Sequence, residues 1–111
     1  MRVALGSLLA LLSLGGCGPY CQSVCTKMAE CPELNELRAG YSADEAFGDC
    51  LDECENALLT PGVVGDYDPM ERNVSGAVIE LDNEKQAATW MDCVDGMSCE
   101  KLADGYCAPV Y

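Results

Sequence analysis

Cys21-Gln22-Ser23-Val24-Cys25 and Cys50-Leu51-Asp52-Glu53-Cys54 decide the fold. Each is a C-x3-C spacing. On an α-helix, residues four apart share one face and lie about 6 Å apart along the axis. Around the first pair, Cys21, Val24, Cys25 and Met28 recur at helical intervals, while Gln22, Ser23, Thr26, Lys27 and Glu30 take the other side. That pattern predicts an amphipathic helix over 20–31. Pro32 ends it, because a residue before proline is pushed out of helical conformation. Around the second pair, Phe47, Cys50, Leu51, Cys54 and Leu58 form the apolar stripe of a helix over 43–59. Asp49, Asp52, Glu53 and Glu55 face outward. Ser42 and Glu45 make a capping box at its start, and Thr60-Pro61-Gly62 stops it. Two helices joined by the short segment 32–42 run antiparallel. An antiparallel ladder bonds first to last, Cys21–Cys54 and Cys25–Cys50, with one register for both rungs. A parallel hairpin would give Cys21–Cys50 and Cys25–Cys54, but the linking segment would then run back along a helix about 16 Å long.

Cys31, Cys93, Cys99 and Cys107 lie outside the ladder. Four cysteines allow three connectivities. Cys31 ends the hairpin and must reach the C-terminal half if all four pair, and the favoured set is Cys31–Cys99 with Cys93–Cys107. Asp82 or Asn83 caps a third helix to about Val94, with Ala87, Trp90, Met91 and Val94 on one face and Trp90 as a core anchor. Ser98 caps a short closing helix over 99–104. The stretch 61–81 is ambiguous. Asp68-Pro69-x-Glu71 has the form of a helix start, whereas Val78-Ile79-Glu80-Leu81 suits an extended segment. The expected fold class is small, all-α and disulfide-rich: an antiparallel helical hairpin, a C-terminal helix and a short closing helix. A domain of this size buries a limited core and gains from covalent staples.

Residues 1–16 read as a signal peptide. Arg2 precedes an apolar run from Val3 to Leu14, about a dozen residues against the roughly 20 that span a bilayer. The run ends in Leu14-Gly15-Gly16-Cys17, which resembles a bacterial lipobox. The resemblance implies cleavage before Cys17 and attachment of diacylglyceryl and a fatty-acyl chain such as palmitate to it. An ordinary signal peptidase would want an A-x-A-like site, which Leu14-Gly15-Gly16 matches poorly. Nine cysteines are an odd number, which in an exported chain needs a reason. With Cys17 lipidated, eight remain for four bridges in an oxidising compartment. The expected layout is a leader over 1–16, lipidated Cys17 with its tether over 17–20, and one stapled domain over 21–111. Gly18-Pro19-Tyr20 spans at most about 10 Å, so the domain is expected to sit against the membrane. Gly18 stands where enterobacterial lipoproteins kept at the inner membrane carry aspartate, which points to the outer membrane.

The layout is similar to the short cysteine-rich lipoproteins abundant in myxobacteria and related Gram-negative bacteria. The matching features are the lipobox, Cys21-x3-Cys25-x5-Cys31, Cys50-x3-Cys54 and Cys93-x5-Cys99-x7-Cys107. Residues 21–54 alone resemble the twin C-x3-C hairpins of the alpha-hairpinin peptides. These likenesses imply an envelope location and a helical disulfide scaffold, and they supply no catalytic residue.

Net charge is −13, from 19 acids and 6 bases. Without the leader and its Arg2, 19 acids face 5 bases, a side-chain net of −14. Such a field repels nucleic acid and anionic lipid headgroups. There is no histidine, so Ser-His, Cys-His and His-metal chemistry are excluded. An all-thiolate zinc site from Cys21, Cys25, Cys50 and Cys54 loses to disulfides where the surroundings oxidise. Asp66, Asp68 and Glu71 are the candidate cation ligands, with backbone carbonyls completing a calcium-type shell. The plainer reading of the same residues is a solvated turn and a helix cap. Asn73-Val74-Ser75 matches a glycosylation sequon. The expected function is a lipid-anchored protein of the bacterial envelope, a non-enzymatic binding or structural module without a cofactor. Its expected partners are the membrane and an envelope protein or glycan. The alternative is an inhibitor of an enzyme such as a protease, presenting the 60–69 loop.

Overall fold

A computed structural model describes residues 18–38, 40–74 and 79–111. Among these residues the chain forms helices α1 (Cys21–Glu30), α2 (Pro32–Leu37), α3 (Ala43–Leu58), α4 (Glu84–Asp95) and α5 (Cys99–Ala103), and no strand. The fold is small, all-α and disulfide-rich.

Caps set the helix starts. Ser42 Oγ accepts from Glu45 N–H at 3.1 Å while Glu45 Oε1 accepts from Ser42 N–H, closing the capping box of α3. Asn83 Oδ1 accepts from Lys85 and Gln86 N–H at 3.0 and 3.1 Å at the start of α4. Ser98 Oγ accepts from Lys101 N–H for α5. Each bond satisfies a donor that the first helical turn leaves orphaned.

Bridges Cys21–Cys54 and Cys25–Cys50 join α1 to α3, both with Cα–Cα 5.7 Å. The first-to-last pairing holds the two helices antiparallel in one register. Helix α4 packs across α1 and α3, and α2 packs on α5. Cys31–Cys99 ties the α1–α2 junction to the start of α5, and Cys93–Cys107 ties α4 to the C-terminal segment. Trp90 lies at the centre, fully buried among Val24, Met28, Leu34, Val94 and Leu102. Its Nε1–H is shared between Cys107 O and Pro109 O, both at 3.0 Å, so the buried indole keeps its hydrogen bond.

Helix α4 runs in the same sense as α1. Its last turn holds Asp92 and Asp95 and no base, which is unfavourable at the negative end of a helix dipole. Lys27 supplies the cation from α1. Its Nζ donates to Val94 O at 2.7 Å, Asp95 O at 3.1 Å and Met97 O at 2.6 Å.

Three expectations need correction. Pro32 ends α1 but also opens α2, with extended Cys31 as N-cap and the proline in the first turn, where its missing N–H costs nothing. The 32–42 link is therefore a helix that buries Leu34, followed by a turn. Asp68-Pro69 starts no helix. Asp68 accepts from Met70 N–H through Oδ1 and from Glu71 N–H through its carbonyl, a tight turn. Beyond it the backbone pairs with the C-terminal segment: Pro69 O accepts from Cys107 N–H at 2.7 Å, and Asn73 N–H donates to Gly105 O at 2.9 Å. Those bonds replace the ones a helix would have made. Glu53, read as solvent-facing, is half-buried and accepts Leu81 N–H at 2.7 Å. The extended reading of 78–81 falls partly on Val78, outside the described residues. Residues 79–81 carry no regular structure. Ser75 of the sequon is also outside.

Candidate functional site

The C-terminal segment builds the site. Gly105 has φ +110, and a Cβ there would lie 2.5 Å from Asn73 O, so both conformation and space require glycine. Cys107 adopts φ +58, unusual for a residue with a side chain. It is held there by its bridge to Cys93, by its N–H to Pro69 O and by its carbonyl to Trp90. The Tyr67 hydroxyl donates to Ala108 O. The Tyr111 hydroxyl is bonded to Glu53. Thus pinned, residues 108–111 form one wall of a cleft of about 610 Å³, in the size range of small-molecule sites.

Leu34, Leu37 and Arg38 of the α2 region also line it, as do Leu102 and Ala103 of α5. Most of this surface is apolar, with Tyr41, Asn73 and Tyr111 as polar exceptions beside Arg38. Arg38 is the cation in it. Its Nη1 donates to Asn35 Oδ1 at 2.7 Å and its Nη2 to Met28 O at 3.0 Å. Its Nε is buried without a hydrogen-bond partner, as is Oε1 of Glu33 in α2. Burial lowers the Arg38 pKa, but a guanidinium remains charged at any physiological pH. Burial also pushes the Tyr67 and Tyr111 hydroxyls well above the ordinary phenol value. Neighbouring Asp68 adds to the Tyr67 shift, while Glu53, Glu80 and Asp49 add to that of Tyr111. Both phenols are therefore neutral donors.

The other sequence candidates fall elsewhere. Cys17 lies outside the described residues. Asp66, Asp68 and Glu71 are exposed on a second depression of about 460 Å³. Among the described residues no three acidic or cysteine side chains converge as a metal-ligand set, so the suggested cation shell is not assembled. One Asp68 oxygen already serves the turn. Cys21, Cys25, Cys50 and Cys54 are consumed in bridges. Within the 60–69 loop, Thr60 O accepts Glu84 N–H at 2.8 Å, Val63 O accepts Asn83 Nδ2–H at 2.9 Å and Val64 O accepts Gln86 Nε2–H. The loop is fixed to the start of α4, with Val63 exposed. Sequence reasoning missed the cleft, because Leu34, Leu37 and Arg38 sit in what reads as a linker and meet α5 only once the chain is folded. Among the described residues no helix is long and apolar enough to cross a membrane. Comparison with protein-family models, with curated proteins and with solved structures finds no match to this chain.

Proposed function

We propose that this protein is a lipid-anchored module of the bacterial cell envelope, on the outer membrane, which binds a small apolar molecule bearing an acidic group and performs no catalysis. The observation that carries the reading is the mostly apolar cleft with the Arg38 guanidinium as the cation in its lining. An anionic group offers the Arg38 guanidinium a charge-assisted partner, while the aliphatic lining accepts the rest of the ligand. The lipid anchor is supported by Leu14-Gly15-Gly16-Cys17 and by bridge count. Eight of the nine cysteines are used in four bridges, which leaves Cys17 no partner thiol in its own chain. The absence of histidine supports a binding role. So does the character of the shifted groups, an arginine and two phenols displaced mainly by burial.

Native mass spectrometry of the protein taken from its own membranes tests both parts. The N-terminal peptide should carry diacylglyceryl on Cys17, and the folded protein should carry a small additional mass. Ala103→Trp, which fills the cleft from α5, should remove that mass, and Arg38→Gln should lower its occupancy. An unmodified N-terminus would refute the anchor. A bare wild-type protein, or a ligand indifferent to Ala103→Trp, would refute the cleft.

A further inference from the structure

The end of the hairpin at which α1 begins and α3 ends carries a concentration of exposed apolar side chains. Tyr20 is 54 % exposed, Leu58 41 %, Leu59 82 % and Val63 75 %. Cys21–Cys54 places the start of α1 beside the last turn of α3. Leu58 lies one further turn on, about 6 Å along the axis. Residues 56–65 contain no charged side chain, and neither do residues 18–26, in a chain with 19 acids. Glu55, Asp66, Asp82, Glu84 and Lys85 border this pole in sequence or through the α4 start. The apex is stiff. Its carbonyls at Thr60, Val63 and Val64 are fixed to α4, and a Cβ on Gly62 would come within 2.6 Å of the Asn83 side chain.

We infer that this apex, through Leu58, Leu59, Val63 and Tyr20, is a docking surface for the lipid bilayer itself. The inference rests on the reading of Cys17 as acylated. The three residues between Cys17 and Cys21 reach about 10 Å at most, so an anchored chain holds this pole, and not the opposite one, against the headgroups. A side chain at the boundary of headgroup and acyl regions loses apolar surface to lipid, and a preformed loop orders nothing further on contact. The scarcity of acids suits the approach, because carboxylates would resist leaving water and would be repelled by anionic lipid. The surface sets orientation: the helical axes stand roughly upright, with α2 and its Leu37 at the far end.

The test uses the full processed protein, purified in detergent and reconstituted in phosphatidylcholine vesicles containing lipids brominated on their acyl chains. Leu59→Trp places a reporter at the apex and Leu37→Trp one at the far end. Trp90 is fully buried and contributes a constant background. The Leu59→Trp variant should lose about half or more of its added emission to bromine, and the Leu37→Trp variant almost none, for an apex lying 5–10 Å below the headgroup surface. Leu59→Asp with Val63→Asp should exchange between vesicles roughly tenfold faster than the parent. An acylated protein whose two reporters are quenched equally, or not at all, overturns the docking surface and leaves the anchor standing. An N-terminal peptide without acyl mass removes both. Inhibition of a protease in a panel, lost on Val63→Asp with quenching absent, would assign the apex to a protein partner instead.

Discussion

Replacing Lys27 by methionine isolates one interaction. The variant keeps an unbranched stem against α4 and removes only the ammonium. Three carbonyls then lose their donor, two of them at 2.6 and 2.7 Å, and the negative end of α4 is left with Asp92 and Asp95 in its last turn. A hydrogen bond to a charged group contributes about 1.5–3 kcal/mol net, and a cation at a helix C-terminus up to about 2 kcal/mol in a partly buried geometry. These overlap, since the carbonyls are the dipole's end, and water recovers part of the loss. The expected destabilisation is about 2–3 kcal/mol. At about 4–8 °C per kcal/mol for a domain of this size, that lowers Tm by about 10–20 °C. Guanidinium unfolding with bridges intact, followed by far-ultraviolet circular dichroism, should show a lower midpoint at unchanged slope. Lys101→Met is the control. Its ammonium lies 5.4 Å from the Tyr106 ring on the surface, worth less than about 1 kcal/mol. A loss below about 0.5 kcal/mol for Lys27→Met would refute the argument, because the bridges that position α1 would then be holding α4 without help from the cap.

Gly105→Ala must place a Cβ against Asn73 O at φ +110, and calorimetry should find it destabilised by about 2–4 kcal/mol. Asn83→Ala removes two cap bonds and the tether to Val63 O. It should cost about 2 kcal/mol and speed hydrogen exchange at Glu84, whose partner Thr60 O is on the released loop. Tyr67 and Tyr111 have folded pKa values raised above the unfolded phenol value. Their stabilisation is complete below about pH 10 and is lost as pH climbs from there toward the folded values. Tyr67→Phe with Tyr111→Phe should flatten this alkaline loss of stability, and an unchanged slope would contradict it. A thiol reagent should find no free thiol among the eight cysteines from Cys21 to Cys107 after unfolding without reduction, and two or more per chain would contradict the bridges.

The hairpin was legible because its signals are local. Two C-x3-C spacings, a proline and the Ser42–Glu45 box lie within one turn of what they determine. Trp90 and the α4 face were readable for the same reason. What escaped depends on contacts distant in sequence. Whether Pro32 opens a helix depends on Leu34 finding α5, some seventy residues away. Asp68-Pro69 has the local chemistry of a helix start, but Cys107 and Gly105 claim the backbone groups of that segment. Glu53 sits on a polar stripe by periodicity, yet 79–81 and Tyr111 fold over it. The cleft belongs to this class. Its walls come from the linker, α5 and the chain end, and no spacing in the sequence announces that they meet.

The bridge order has a consequence for how the chain matures. No described bridge joins cysteines adjacent along the sequence, and Cys31–Cys99 crosses Cys93–Cys107. A chain threaded into an oxidising compartment from its N-terminus presents Cys21, Cys25 and Cys31 together, before any correct partner has emerged. Pairing in order of appearance therefore yields only wrong bonds. Cys31 has the longest wait, since its partner is 68 residues away. Such a chain depends on thiol–disulfide exchange to undo early bonds, so a host that oxidises quickly but isomerises poorly should accumulate scrambled protein.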